Sequence, residues 1–201
     1  MMMSAVTETT SPVAARDRLL RGLRVSIKHR GYRDTTISDI VGHARTSRRT
    51  FYEVFASKDD CFLALVDEMN HGMRELIARS LDPDAAWDVQ VRAGVTAWVE
   101  AMAAEPELSV SWIRELPLLG APARQAQRVA MQSFAELLMA ITDTPQMRKA
   151  GVEPVTMATA TILLGGLGEL AAVAAEDGLA IQTIIEPAVD AALALLGPRG
   201  L

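Results

Sequence analysis

With 201 residues, half of them apolar, the chain can build one large domain or two smaller ones around a sizeable core, and its single cysteine, Cys61, excludes an internal disulfide and fits a reducing compartment. The formal net charge of −5 hides an asymmetry: residues 1–55 carry ten Lys and Arg against five Asp and Glu, a net of +5, and the remainder carries ten against twenty, a net of −10. A basic head on an acidic body directs a polyanion to the head and away from the body.

The first fifteen residues, MMMSAVTETTSPVAA, have neither the apolar core nor the cationic leader of a signal peptide. They are small and polar, so a disordered arm is expected over 1–15. Helical periodicity then sets in. Leu19, Leu20, Leu23 and Ile27 form one apolar stripe over 16–29, with Arg16, Arg18, Arg21, Arg24 and Lys28 mostly off it, and Gly31 closes the helix as a C-terminal glycine cap. A second helix is predicted from Thr36 to about His43 or Ala44. Asp39, three residues after Thr36, makes an acidic variant of the capping box, and Ile37, Ile40 and Val41 face inward. Ser47 is a good N-cap for a short third helix ending near Val54. A fourth opens at Ser57, with Asp59 and Asp60 suited to its first turn, and runs to about Leu81, where LDPD breaks it.

Further helices are predicted at about 85–104, 107–118, 121–142, 154–176 and 180–196, separated by AEPE, PLLGAP, DTPQMRKAGVEP and EDG. No strand pattern or repeat emerges, so the fold class is all-α. The expected division is a helix-turn-helix DNA-binding domain over 16–56 and a helical ligand-binding and dimerisation domain over 57–201, its first helix, 57–81, connecting the two.

Two short helices joined by a tight turn, behind a longer one, make a helix-turn-helix. Arg48, Arg49 and Thr50 then fall at the exposed start of the recognition helix. Arginine grips guanine O6 and N7 with paired hydrogen bonds, and threonine touches a thymine methyl. Tyr52 and Lys58 suit phosphate contacts, and backbone N–H groups at Thr36 offer another. Arg45 and Ser47 complete the expected DNA-facing set.

The stretch GYRDTTISDIVGHARTSRRTFYEVFASKDDCFLAL, residues 31–65, resembles the DNA-binding region of TetR-family repressors. The resemblance rests on Gly31-Tyr32, Thr35-Thr36, Ile40-Val41, Ala44-Arg45-Thr46-Ser47, Phe51-Tyr52 and Phe55-Ala56-Ser57-Lys58-Asp59. In two places the chain departs from the family. Arg45 stands where a turn glycine is usual, at a cost on the order of 1 kcal/mol if the position needs a positive φ. Thr46 stands where a buried valine is usual. The resemblance implies a homodimer with a small-molecule pocket in each body.

The residues of the body support both features independently. Trp87 and Trp98, eleven apart, share a helical face, with Met102 four beyond Trp98. Trp112 with Leu116, and Met131 with Phe134 and Leu138, form similar faces on the next two helices. These residues line a pocket or simply fill the core. As a pocket, the group Trp98, Met102, Trp112, Leu116, Met131, Phe134 and Leu138 suits a small hydrophobic effector.

Residues 155–178, VTMATATILLGGLGELAAVAAEDG, are long enough to span a membrane, but Glu169, the threonines and glycines, and the lack of flanking aromatics argue against it. Gly166 to Ala171 matches a dinucleotide fingerprint without the strand that motif requires. The remaining reading is close helix packing between subunits through Gly165, Gly168 and Ala172, with Ile184, Ala188, Ala191 and Leu195 on the last helix as the partner stripe. His29, His43 and His71 show no metal spacing, no catalytic motif is present, and no cofactor is expected. Cys61 reads as an inert thiol beside Phe62.

The expected function is a cytoplasmic, homodimeric transcriptional repressor that binds double-stranded operator DNA and is released by a hydrophobic effector. The alternative is an all-α small-molecule-binding protein or enzyme whose basic head is incidental.

Overall fold

The computed structural model describes residues 12–198. Those residues are all-α, with no strand among them. Two compact units meet between Leu65 and Val66, inside a helix.

The head unit begins with α1, Pro12–Asp34. The helix therefore starts four residues before the expected Arg16, with proline at its first position, where a missing N–H costs nothing. Residues 12–15 of the expected disordered arm are thus helical, and residues 1–11 lie outside the described residues. Gly31 breaks the helical run at φ 75° and ψ 167°, a backbone conformation that favours glycine.

Helix α2, Ile37–His43, carries the complete capping box expected of Thr36 and Asp39. Helix α3, Arg48–Val54, is capped by Ser47, whose hydroxyl accepts the Thr50 N–H at 3.0 Å. Helix α4, Lys58–Ser80, follows, with Ser57 Oγ accepting the Asp60 N–H at 3.0 Å. Leu19, Leu20, Leu23, Ile27, Ile40, Phe51 and Phe62 are buried together as the core of the head.

The body holds α5, Trp87–Ala104, and α6, Pro106–Val110. A π-helical turn, Ser111–Glu115, and a 3-10 turn, Leu116–Leu118, continue from α6. Then come α7, Ala121–Thr142; α8, Pro145–Lys149; α9, Met157–Glu176; and α10, Ile185–Leu196, which is preceded by a 3-10 turn, Ile181–Ile184. Two features were not expected. The predicted helix over 107–118 is three short helical types in series, and the separator DTPQMRKAGVEP contains α8, capped by Thr144. Val99, Met102, Ala135, Ala160, Ala188, Val189 and Ala192 are fully buried in the core that α5, α7, α9 and α10 share.

Candidate nucleic-acid interface and effector cavities

The interface is built on a close approach of α1 to α2. A side-chain carbon at Gly22 would lie 2.5 Å from the Ile40 carbonyl oxygen and 3.0 Å from the Ala44 nitrogen. Only glycine lets the helices meet there. Ser26 Oγ, one turn on, donates to the Gly22 carbonyl at 2.8 Å.

The turn between α2 and α3 places Arg45 at φ 49°, the one positive φ at a non-glycine residue among those described. This is the backbone position that the family fills with glycine, and arginine there is strained. Arg45→Gly is expected to stabilise the head by about 1 kcal/mol. Thermal unfolding measures it. An unchanged or lower midpoint would show that the arginine side chain has compensating contacts.

The sequence-predicted contact residues divide into two groups. Arg48 is exposed, and no ion pair or hydrogen bond from its side chain appears among the described residues. Arg45, Ser47, Arg49 and Tyr52 are exposed too, and Thr50 is half-buried. Tyr52 is 55% exposed, its ring set edge-on to Phe51 at 5.5 Å, so an aromatic side chain with a hydroxyl projects from the outer face of α3. Arg49 Nε donates to Glu53 Oε1 at 2.9 Å, which lays its side chain back along the helix. Sequence reasoning missed Glu53, although its i,i+4 spacing from Arg49 is the signal for such a pair.

Two other residues are already engaged. Thr36 donates its backbone N–H to Asp39 Oδ2 at 2.9 Å and its hydroxyl to the same oxygen at 2.6 Å. The N–H and hydroxyl of Thr36 are thus both engaged by the Asp39 carboxylate. Those hydrogen bonds from Thr36, with Arg30 and His43 nearby, hold the Asp39 carboxyl below the usual range. Lys58 is the larger correction. Its ammonium donates to the carbonyls of Tyr32 at 2.9 Å, Thr35 at 2.9 Å and Arg33 at 3.3 Å, and it lies 4.3 Å from the Tyr32 ring centroid. Three N–H protons meet three carbonyl oxygens at the end of α1, which reassigns Lys58 from a phosphate contact to a clamp.

Burial pushes the Cys61 thiol up to about 12, so the side chain is a packed apolar group rather than a nucleophile.

The body contains two neighbouring cavities, with about 640 Å³ and 690 Å³ of empty space, part of it open to solvent. Trp98, Phe134 and Leu164 line both. The first is apolar apart from Gln90 and Thr142, and Leu138 belongs to it. Both polar groups are already hydrogen-bonded: Gln90 Nε2 donates to the Ala85 carbonyl at 2.9 Å, and Thr142 Oγ1 donates to the Leu138 carbonyl at 2.9 Å and accepts the Val155 N–H at 3.1 Å. The second cavity is lined by Trp112 and Met131, with Gln127, Gly165, Gly168 and Glu169. Met102 and Leu116 line neither. Both are fully buried, so their stripes point into the packing rather than at an empty space.

The expected dimer residues also separate. Ala172, Ile184 and Ala188 are buried inside the chain's own core and face no partner. Gly165 and Gly168 border the second cavity, and a side-chain carbon at either would meet nothing within 4 Å. Ala191 and Leu195 remain on the surface of α10. On α9 the exposed large apolar side chains are Met157, Ile162, Leu170 and Val173, which the sequence reading did not single out. This helix is long and apolar enough to cross a membrane by length and composition, yet Ala160, Leu163, Leu167 and Ala171 along one side of it are buried in the body.

Residues 19–65 match the family model described as "Bacterial regulatory proteins, tetR family". No curated protein matches the chain. Among solved structures, the transcriptional regulator FadR from Bacillus subtilis, in complex with stearoyl-CoA, is similar over 90% of this chain and 98% of its own, with TM-score 0.76 and 14% identity. The fatty acid degradation regulator FadR from Bacillus halodurans is similar over 89% and 94%, with TM-score 0.72 and 17% identity. A TetR-family regulator from Agrobacterium tumefaciens is similar over 90% and 98%, with TM-score 0.70 and 20% identity.

Proposed function

We propose that this chain, a transcriptional regulator of the TetR family, is a cytoplasmic homodimeric repressor released from its operator by a small hydrophobic effector. The carrying observation is α3: a capped recognition helix with Arg48, Arg49 and Tyr52 exposed along it, behind a turn held by its own hydrogen bonds. Each subunit would set α3 in a major groove, the two roughly 34–36 Å apart on a near-palindromic site. Arg48 would read base edges, while Arg45, Ser47, Thr50 and Tyr52 contact bases or flanking phosphates.

The effector reading rests on the cavities. Their apolar lining suits a hydrocarbon group, and a structural neighbour was solved with stearoyl-CoA. The dimer reading rests on the exposed side chains Ile162, Leu170 and Val173 of α9 with Ala191 and Leu195 of α10, an apolar surface that a second copy would cover. Effector binding would act as a population shift, favouring a body conformation in which the recognition helices no longer match the operator spacing.

Selection of bound fragments from random DNA, followed by affinity measurement at fixed salt, tests the proposal. Arg48→Ala is expected to cost about 1–3 kcal/mol on the selected site and much less on random DNA. Equal losses on both would leave Arg48 as a phosphate contact, and no selected sequence at all would remove the operator reading.

A further inference from the structure

The second cavity has a chemistry of its own. Trp98, Trp112, Phe134 and Met131 supply aromatic and sulfur surface, and Glu169 is the one ionised side chain in its lining. Arg114, on the π-helical turn, donates to both Glu169 oxygens at 2.7 and 2.9 Å, and to both Glu176 oxygens at 2.7 and 3.0 Å. One guanidinium between two carboxylates leaves the cluster with a formal charge of −1. The neighbouring charges on α7, Arg124, Arg128 and Glu136, are exposed and outside the lining. The Arg114 guanidinium holds the Glu169 and Glu176 carboxyls below the usual carboxylate range, so both are ionised at neutral pH.

An anionic head group entering this cavity would have to displace a carboxylate from Arg114 inside a cluster that is already negative. A cation meets the net negative charge of the exposed Glu169–Arg114–Glu176 cluster beside aromatic side chains, a combination of the kind that recognises organic ammonium groups. The first cavity shares Trp98, Phe134 and Leu164 with the second, carries no charged side chain in its lining, and has Gln90 and Thr142 as its only polar side chains, both hydrogen-bonded within the protein. It suits a hydrocarbon tail.

We infer that the effector is a lipophilic monocation, its ammonium-type head among Trp98, Trp112 and Glu169 and its hydrocarbon portion in the adjoining apolar cavity. This rests on the proposed role of the body as an effector site and names the ligand class that the site takes. Long-chain acyl thioesters of coenzyme A, with several phosphates, would meet one cation that is already doubly paired.

The test compares three twelve-carbon probes of different head charge: dodecyltrimethylammonium, dodecanol and dodecanoate. Each is titrated below its micelle concentration into the full chain, with tryptophan fluorescence and operator affinity as readouts. The ammonium compound is expected to bind about tenfold more tightly than the alcohol, and the carboxylate more weakly than either. Glu169→Gln should reduce the preference to near parity while leaving alcohol binding in place. Gly168→Leu, at a position where an added side-chain carbon meets nothing within 4 Å, should fill the cavity and weaken the ammonium compound most. Tighter binding of the alcohol or carboxylate, or an unchanged preference in Glu169→Gln, overturns the inference and leaves the effector site standing. Failure of all three probes to bind, or binding with no change in operator affinity, overturns the effector site as well.

Discussion

Gly22→Ala is expected to destabilise the head by about 3 kcal/mol and to abolish operator binding near physiological temperature. In an exposed helix interior the same change stabilises by about 1 kcal/mol, because alanine is the better helix former. Here the sign reverses. The new methyl would sit 2.5 Å from the Ile40 carbonyl oxygen and 3.0 Å from the Ala44 nitrogen, both backbone atoms that no rotamer change can move aside. Relief requires α1 and α2 to separate, which shifts the base on which α3 is presented. Gly42→Ala is the control: it lies in α2, where an added side-chain carbon meets nothing within 4 Å, and its stability should hold or rise. Thermal unfolding followed by circular dichroism compares them. A Gly22→Ala protein as stable as its parent would mean that the two helices tolerate a wider spacing.

The same residue marks the limit of what the sequence discloses. Features that are local in the chain were legible. Thr36 with Asp39, Ser47 before Arg48, Gly31 after the leucine stripe and proline at the ends of the body helices each constrain the few residues beside them. The apolar stripe of α1 was legible for the same reason, since every turn repeats it. Gly22 reads as a neutral interruption until Ile40 and Ala44 are brought against it.

The body divides along the same line. Trp98, Trp112, Met131, Phe134 and Leu138 border cavities, whereas Met102 and Leu116, with identical periodic credentials, are fully packed. Periodicity tells which side chains face inward; it does not tell where the interior stays empty. The small residues of α9 and α10 were read as a face for a second subunit, but Ala172 and Ala188 are buried inside the chain. Met157, Ile162, Leu170 and Val173 are the large apolar side chains of α9 that stay exposed. Arg114 and its two glutamates are separated by 55 and 62 positions, beyond any local rule.

Lys58→Met is expected to lower the stability of the head by about 2 kcal/mol, the scale of a lost charge-assisted hydrogen-bond set in a half-exposed site. Helix α1 ends at Asp34 after the break at Gly31, and its last carbonyls have no intrahelical donor. The ammonium of Lys58 donates to the carbonyls of Arg33 and of Thr35, just past the helix, and adds a second donor at Tyr32, whose carbonyl also accepts the Thr35 N–H at 3.2 Å; its positive charge lies favourably at the negative end of the helix dipole. The ring of Tyr32 is held in turn. It stacks on Phe62 with centroids 4.2 Å apart, and its hydroxyl donates to Asp59. Lys58 thus ties the end of α1 to the start of α4 within the head. Methionine preserves the length of the side chain and much of its packing while removing every donor, so the loss reports the hydrogen bonds and the charge. Lys58→Arg should recover part of the stability, because the charge returns with a different donor geometry. A phosphate contact predicts the opposite pattern. Unfolding would be unchanged in Lys58→Met, and the dependence of DNA affinity on salt would flatten by roughly one unit on operator and random DNA alike. Chemical unfolding of the two variants, beside a salt titration of their DNA binding, separates the two roles, and an unaltered unfolding midpoint with a flattened slope would return Lys58 to the DNA.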